Sequence, residues 1–185
     1  MKPLFTVHAG EFLVDHEIQR NFPHVNVWIP TRDTGIDLLV SNSDNTDTTS
    51  LQVKFSRDYL VTHLKHAVLL GGIRACGWWT PTRRHLEKSR AQYWIFVLVG
   101  FANRSTDFII IKPGDLLERL SLVHGKLANK FQMYLWVTQQ SRCYETRNLK
   151  QADQLLIATN KFENDDRNFT DYLNDWTPIR ALNEG

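Results

Sequence analysis

Apolar residues recur at intervals of four from Val14 through Ile18 to Phe22, Glu11 heads the same stripe, and no Pro or Gly intervenes before Pro23. That spacing predicts a helix over about 10–21. The β-branched and aromatic run over 24–29, ended by Pro30, predicts a strand, and the segment from Arg32 to Gly35 a turn. A second strand is expected over 36–41. The polar stretch SNSDNTDTTS then supplies the turn-forming residues of a hairpin loop. In the third strand, over 50–56, Leu51, Val53 and Phe55 alternate with Gln52, Lys54 and Ser56, so a period of two separates an apolar face from a polar one.

Beyond Asp58 the pattern is helical or irregular up to Leu70, where Gly71 and Gly72 break it and Trp78 to Pro81 read as a turn. A basic helix is expected over 82–91. The run over 93–101 is nearly all apolar, as in a strand buried on both faces, and 108–111 is its expected partner across a polar turn. Pro113 opens a helix with Leu116, Leu117 and Leu120 on one side, followed by a strand over 131–138 and a helix over 149–158. The acidic C-terminus reads as a loosely packed end. The order is helix, three strands, helix, strand pair and a mixed remainder, which predicts a mixed α/β domain with hairpins first and a helical crossover later.

At 185 residues the length predicts a single domain over 1–185. Cys76 and Cys143 are too few for a disulfide framework and lack the spacing of a zinc site, so a reducing compartment is expected. No apolar run approaches the roughly 20 residues of a membrane helix, and the N-terminus lacks the apolar region of a secretion signal. The expectation is a soluble, cytoplasmic protein with no membrane partner. A net charge of +2 argues against a strongly basic nucleic-acid binder, but the average conceals a separation. From Leu51 to Gln92 eight basic residues face two acidic ones, a surplus of +6 that leaves −4 for the rest. Such a local surplus attracts phosphates, because screening over about 8 to 10 Å lets nearby charges dominate.

Two charges interrupt strands that should lie within a sheet: Asp37 in Gly35-Ile36-Asp37-Leu38-Leu39-Val40, and Lys54 beside Gln52 in the third strand. Burying either unpaired would cost several kcal/mol, roughly, so each needs a partner or a metal ion. A hairpin between the two strands would bring Asp37, Gln52 and Lys54 together. An Asp37–Lys54 ion pair would account for both charges without catalysis, and Glu11 could simply favour the positive end of its helix.

Gly35-Ile36-Asp37, a variable loop, then Gln52-Val53-Lys54, with an acidic helix residue upstream at Glu11, resembles the PD-(D/E)XK nuclease superfamily. The resemblance covers about 9–111 and implies a restriction-endonuclease-like core, an αβββαβ unit whose mixed central sheet is flanked by helices, with an α/β extension over about 112–185. It also implies a Mg²⁺-dependent nuclease, with Mn²⁺ as a substitute, that hydrolyses phosphodiester bonds in DNA in a restriction, repair or mobile-element setting. Many relatives form homodimers. By this resemblance Asp37 is the principal metal ligand, Gln52 and the carbonyl of Val53 add oxygen donors, Glu11 binds directly or through water, and Lys54 orients the attacking water and stabilises developing charge. The sequence departs from the motif in having Gly-Ile-Asp for Pro-Asp and Gln52 for the second carboxylate. An amide oxygen is a weaker ligand for a hard cation than a carboxylate. The alternative is therefore a non-catalytic nucleic-acid-binding or protein-interaction module on the same fold. Ser56, Arg57, Arg83, Arg84 and Lys88 are the expected phosphate contacts. His63 and His66 read as surface histidines, and Trp78 and Trp79 as packing residues.

Overall fold

The computed structural model describes residues 4–32, 34–58 and 66–184, with side chains from Ala9 onward. Helix α1 (Leu4–Asn21) leads into β1 (Val25–Trp28), β2 (Leu38–Asn42) and β3 (Thr48–Ser56). Then come α2 (Ala67–Gly72), β4 (Ile73–Trp79), α3 (Arg83–Glu87), β5 (Tyr93–Gly100), β6 (Ser105–Ile111) and α4 (Pro113–His124). The chain ends with β7 (Met133–Thr138), β8 (Cys143–Glu145), α5 (Gln151–Ala158), two 3₁₀ turns (Asp165–Arg167 and Thr170–Tyr172) and α6 (Thr177–Glu184). Among the described residues no helix is long and apolar enough to cross a membrane.

The protein is α/β, with a mixed central sheet flanked by helices. Its strand order is β1-β2-β3-β5-β6, antiparallel throughout except for the parallel pair β3–β5. A parallel pair requires a crossover, and here the crossover contains α2, β4 and α3. Strand β4 belongs to a second, antiparallel sheet of order β4-β7-β8.

The alternation in β5 sorts side chains to two cores. Ile95 and Val97 join Leu51 and Val53 beneath α1 and α6, whereas Trp94, Phe96 and Leu98 face α3, α4 and the inner face of the second sheet. The outer face of that sheet, with Cys76 and Trp136, packs against α2 and α5 through Leu69, Ile157 and Ala158. Burying an aliphatic or aromatic side chain in such a layer stabilises by about 1.5–3 kcal/mol.

Several expectations need correction. Helix α1 starts at Leu4, well before Gly10, and Gly10 lies inside it where the helix presses on β3. A Cβ at Gly10 would stand 2.7 Å from Cβ of Phe55, so only glycine allows this approach. The helical stretch does end at the glycines, as α2 closing at Gly72, but the segment expected to turn at Trp78 forms strand β4 up to Trp79. Its strand pattern is hidden by a register shift between Ile73 and Ala75 and by Gly77, whose missing side chain leaves room for the ring of Trp79. The basic helix is limited to Arg83–Glu87, capped by Thr82 Oγ1 accepting the N–H of His85.

The C-terminal region is not loose. Phe169 is fully buried, Trp176 meets the rings of Phe22 and Phe108, and Ile179 and Leu182 complete the core under α1. Asn174 exchanges bonds with Phe108: its N–H donates to Phe108 O at 2.7 Å and its Oδ1 accepts the Phe108 N–H at 2.8 Å. This strap runs from the second sheet along β6 to β1, where Asn183 Oδ1 accepts the N–H of His24.

Candidate active site at the β2–β3 junction

Strand β3 is longer than the strand beside it. β2 pairs only with Thr48–Leu51, whereas β5 pairs with Leu51–Ser56 on the other side. Asp37 stands where β2 stops. Its N–H donates to Leu51 O at 2.8 Å, and its Oδ2 accepts the N–H of Val53, also at 2.8 Å. The carboxylate thus takes the place of the next ladder rung, and Asp37 straddles Gln52. In a strand the N–H and C=O of one residue point to the same side, so the Val53 carbonyl lies on the Asp37 edge. That edge offers oxygen donors of one carboxylate and one backbone carbonyl, and Gln52 between them adds a neutral amide.

Period two carries Gln52 and Lys54 to the face opposite Leu51 and Val53, and the parallel register sets them beside Trp94 and Phe96. Lys54 Nζ lies 5.3 Å from the centroid of the Trp94 ring, and Trp94 Nε1 donates to Ser89 Oγ at 2.9 Å. Among the described residues Asp37 is paired with the Val53 amide rather than with Lys54, so a simple Asp37–Lys54 ion pair is not the arrangement found. Glu11 lies one residue beyond the contact of Gly10 with Val53 and Phe55, on the helix that covers the opposite face. Because α1 begins at Leu4, Glu11 is too far along it to serve the positive helix end. The register thus sets Gln52 and Lys54 on one face of β3 with Asp37 at its edge, and α1, which carries Glu11, packs on the other face. Among the described residues no group of three or more His, Cys, Asp and Glu side chains is placed to share a metal ion.

The five expected phosphate contacts divide. Arg57, Arg84 and Lys88 are exposed. Arg83 holds the loop after α4 instead: Nε donates to Ala128 O at 3.0 Å, Nη2 to Lys126 O at 2.8 Å and Ser121 Oγ at 3.1 Å, and the guanidinium covers Phe131. Ser56 is buried, accepting the N–H of Trp78 and donating to Arg57 O, so it pins β4 to the end of β3. Arg74, within the basic segment, is spent on buried Asp107. His66 caps α2 by accepting the N–H of Val68, Trp79 packs on Phe96, and Trp78 is exposed. His63 lies outside the described residues.

Sequence reading missed a second polar cluster. Glu145 is fully buried, with Oε1 accepting the N–H groups of Arg147 at 3.0 Å and Tyr134 at 3.3 Å, and Oε2 accepting Arg167 Nη1 at 2.7 Å. Burial pushes its carboxyl up to about 7, against the opposing pull of those amides and of Arg167. His124 Nε2 stands 3.7 Å from Oε1, and burial, aided by Arg167 and Arg147, holds the imidazole below its usual range. No periodicity signals this cluster, which joins three elements distant in sequence. Grooves of about 360 and 370 Å³ flank α6 and share Tyr93, Pro178 and Ala181; neither is lined by Asp37, Gln52 or Lys54. Comparison of the chain with protein-family models, with curated proteins and with solved structures found no match.

Proposed function

We propose that the chain is a metal-dependent nuclease of the PD-(D/E)XK kind, hydrolysing phosphodiester bonds in DNA with Mg²⁺, or Mn²⁺ in its place. The observation that carries this reading is Asp37 straddling Gln52 where β2 stops pairing, with Lys54 one position beyond Val53. The strand order supports it: an antiparallel β1-β2-β3 meander preceded by α1, with β5 added parallel to β3, is the course an αβββαβ core would take, here with β4 inserted in the crossover.

The oxygen donors suit a hard divalent cation. Asp37 would hold it by its carboxylate, Val53 by its carbonyl and Gln52 by its amide oxygen, with Glu11 of α1 binding directly or through water. Bound there, such an ion polarises a phosphoryl oxygen and lowers the pKa of a coordinated water. Lys54 presents a cation on the same face as Gln52, where it orients the attacking water and stabilises charge developing on the phosphate. Arg57, Arg84 and Lys88 contact flanking phosphates.

The test is cleavage of plasmid, branched and single-stranded DNA by the full chain with Mg²⁺ and with Mn²⁺. Cleavage lost in Asp37→Ala and in Lys54→Ala, with an unchanged melting profile, is the expected result. Intact DNA under every condition sinks the proposal. The second reading, a non-catalytic module, draws on the neutral Gln52 and on the finding that, among the described residues, no three His, Cys, Asp or Glu side chains are placed to share a metal ion. Calorimetric metal binding that disappears in Asp37→Asn favours the enzyme, and no metal binding by the wild type favours the module.

A further inference from the structure

The polar face of β3 has an aromatic floor. Trp94 is buried in the core that includes Leu86, Ala91 and Phe96, and its ring is tied by the Nε1–H bond to Ser89 Oγ, which in turn donates to Ala91 O at 3.3 Å. Above it lies Lys54 Nζ, 5.3 Å from the ring centroid. An ammonium within about 6 Å of an indole face is attracted by the ring quadrupole, and tryptophan attracts more strongly than tyrosine or phenylalanine. Lysine has many rotamers, and a group that must meet a reacting phosphate loses rate when it wanders, so a contact that narrows the range of its ammonium matters.

We infer that Trp94 is a positioning residue for Lys54: its indole face, locked in orientation by Ser89, holds the ammonium over the strand that carries Gln52. The role in hydrolysis rests on the nuclease reading, whereas the placement of the lysine does not. The floor also ties the lysine to its surroundings. Ser89 immediately follows Lys88, one of the exposed cations next to α3, so a single hydrogen bond links the lysine's support to the basic surface.

The test uses the full chain with ¹³C-labelled lysine and the variants Trp94→Phe, Trp94→Leu and Ser89→Ala. A lysine over an indole face has its terminal methylene protons shifted upfield by the ring current. That shift is expected for Lys54 in the wild type, reduced in Trp94→Phe and Ser89→Ala, and absent in Trp94→Leu. In DNA cleavage, Trp94→Leu should lower kcat about tenfold with KM unchanged, and Trp94→Phe should recover most of it. Ser89→Ala removes one hydroxyl and keeps the core, so it reports even where Trp94→Leu unfolds, with an expected loss of about threefold in kcat. A wild-type Lys54 without the upfield shift overturns the inference, as does kcat unchanged in variants whose shift has collapsed. A shift present and lost as expected, in a protein that cleaves nothing, sinks the nuclease reading and upholds the placement of Lys54 by Trp94.

Discussion

Asp37 and Glu145 are both carboxylates beside strand termini, and both accept backbone N–H groups, yet they stand in opposite conditions. Both oxygens of Glu145 are consumed, by two amides and a guanidinium, and no part of it reaches solvent. Asp37 is partly buried, and among the described residues one amide holds one of its oxygens. A carboxylate enclosed on every side can stabilise only one arrangement of its neighbours. One held by a single bond is aimed without being spent. The same contrast separates Arg83, bound into a loop, from Arg84 and Lys88 on the surface.

The strongest way to break this contrast is to delete each acid. Asp37→Ala should reduce metal-dependent cleavage by more than about a thousandfold while losing one hydrogen bond, about 1 kcal/mol of stability. A large drop in melting temperature would assign Asp37 to structure instead. Glu145→Ala should do the reverse, destabilising by about 3–5 kcal/mol because Arg167 is left uncompensated, with kcat per folded molecule little changed.

Acidity sharpens the comparison. The Glu145 carboxyl stands at about 7 in the folded chain against an ordinary 4.5, so the folded state binds its proton more tightly. Its contribution to stability is full below 4.5 and is lost as pH rises through about 7, a change of roughly 3 kcal/mol at most. His124, held below its ordinary 6.5, contributes in the other direction, with stability present above that value and lost as pH falls. Glu145→Gln should therefore remove the opposing slope and leave that of His124, and its melting temperature should rise with pH between 4.5 and 7 more steeply than that of the wild type. Parallel curves for the two proteins would show that Glu145 does not titrate in this window.

The smallest effect concerns the arginines. Arg84→Ala with Lys88→Ala should weaken DNA binding about tenfold and lower the slope of log affinity against log salt by about two. Arg83→Ala should leave that slope alone and lower the melting temperature. A slope that falls with Arg83 and not with the other two would reverse the assignment.

Much of the central sheet is legible in the sequence because burial on two faces demands unbroken apolar runs, as in β5, and burial on one face demands alternation, as in β3. Strand β4 escapes because its register shift and Gly77 erase the period. The strap escapes because Phe169 and Trp176 are anchored by turns and side-chain amides rather than by a repeating element, and α6, which carries Ile179, is only eight residues long. Asp37 and Lys54 stand out as charges inside apolar strands. Trp94 does not, since its place beneath Lys54 follows from the β3–β5 register, which no local pattern specifies. Arg83 looks like surface charge because a count of charges says nothing about which donors are already taken.

The strap has a consequence for how the chain reaches its native state. Its bond from His24 to Asn183 closes across 159 residues, and Trp176, Ile179 and Leu182 fill a core otherwise built from α1 and the first strands. Contacts of such long range form slowly, because the entropy of closing the loop is lost before they can reward it. Before the strap closes, Phe22 and Phe108 lack the ring of Trp176 that they meet in the folded chain. A protease that nicks the strap between its 3₁₀ turns and α6 should therefore act on this waiting form, and its rate would time the final closure.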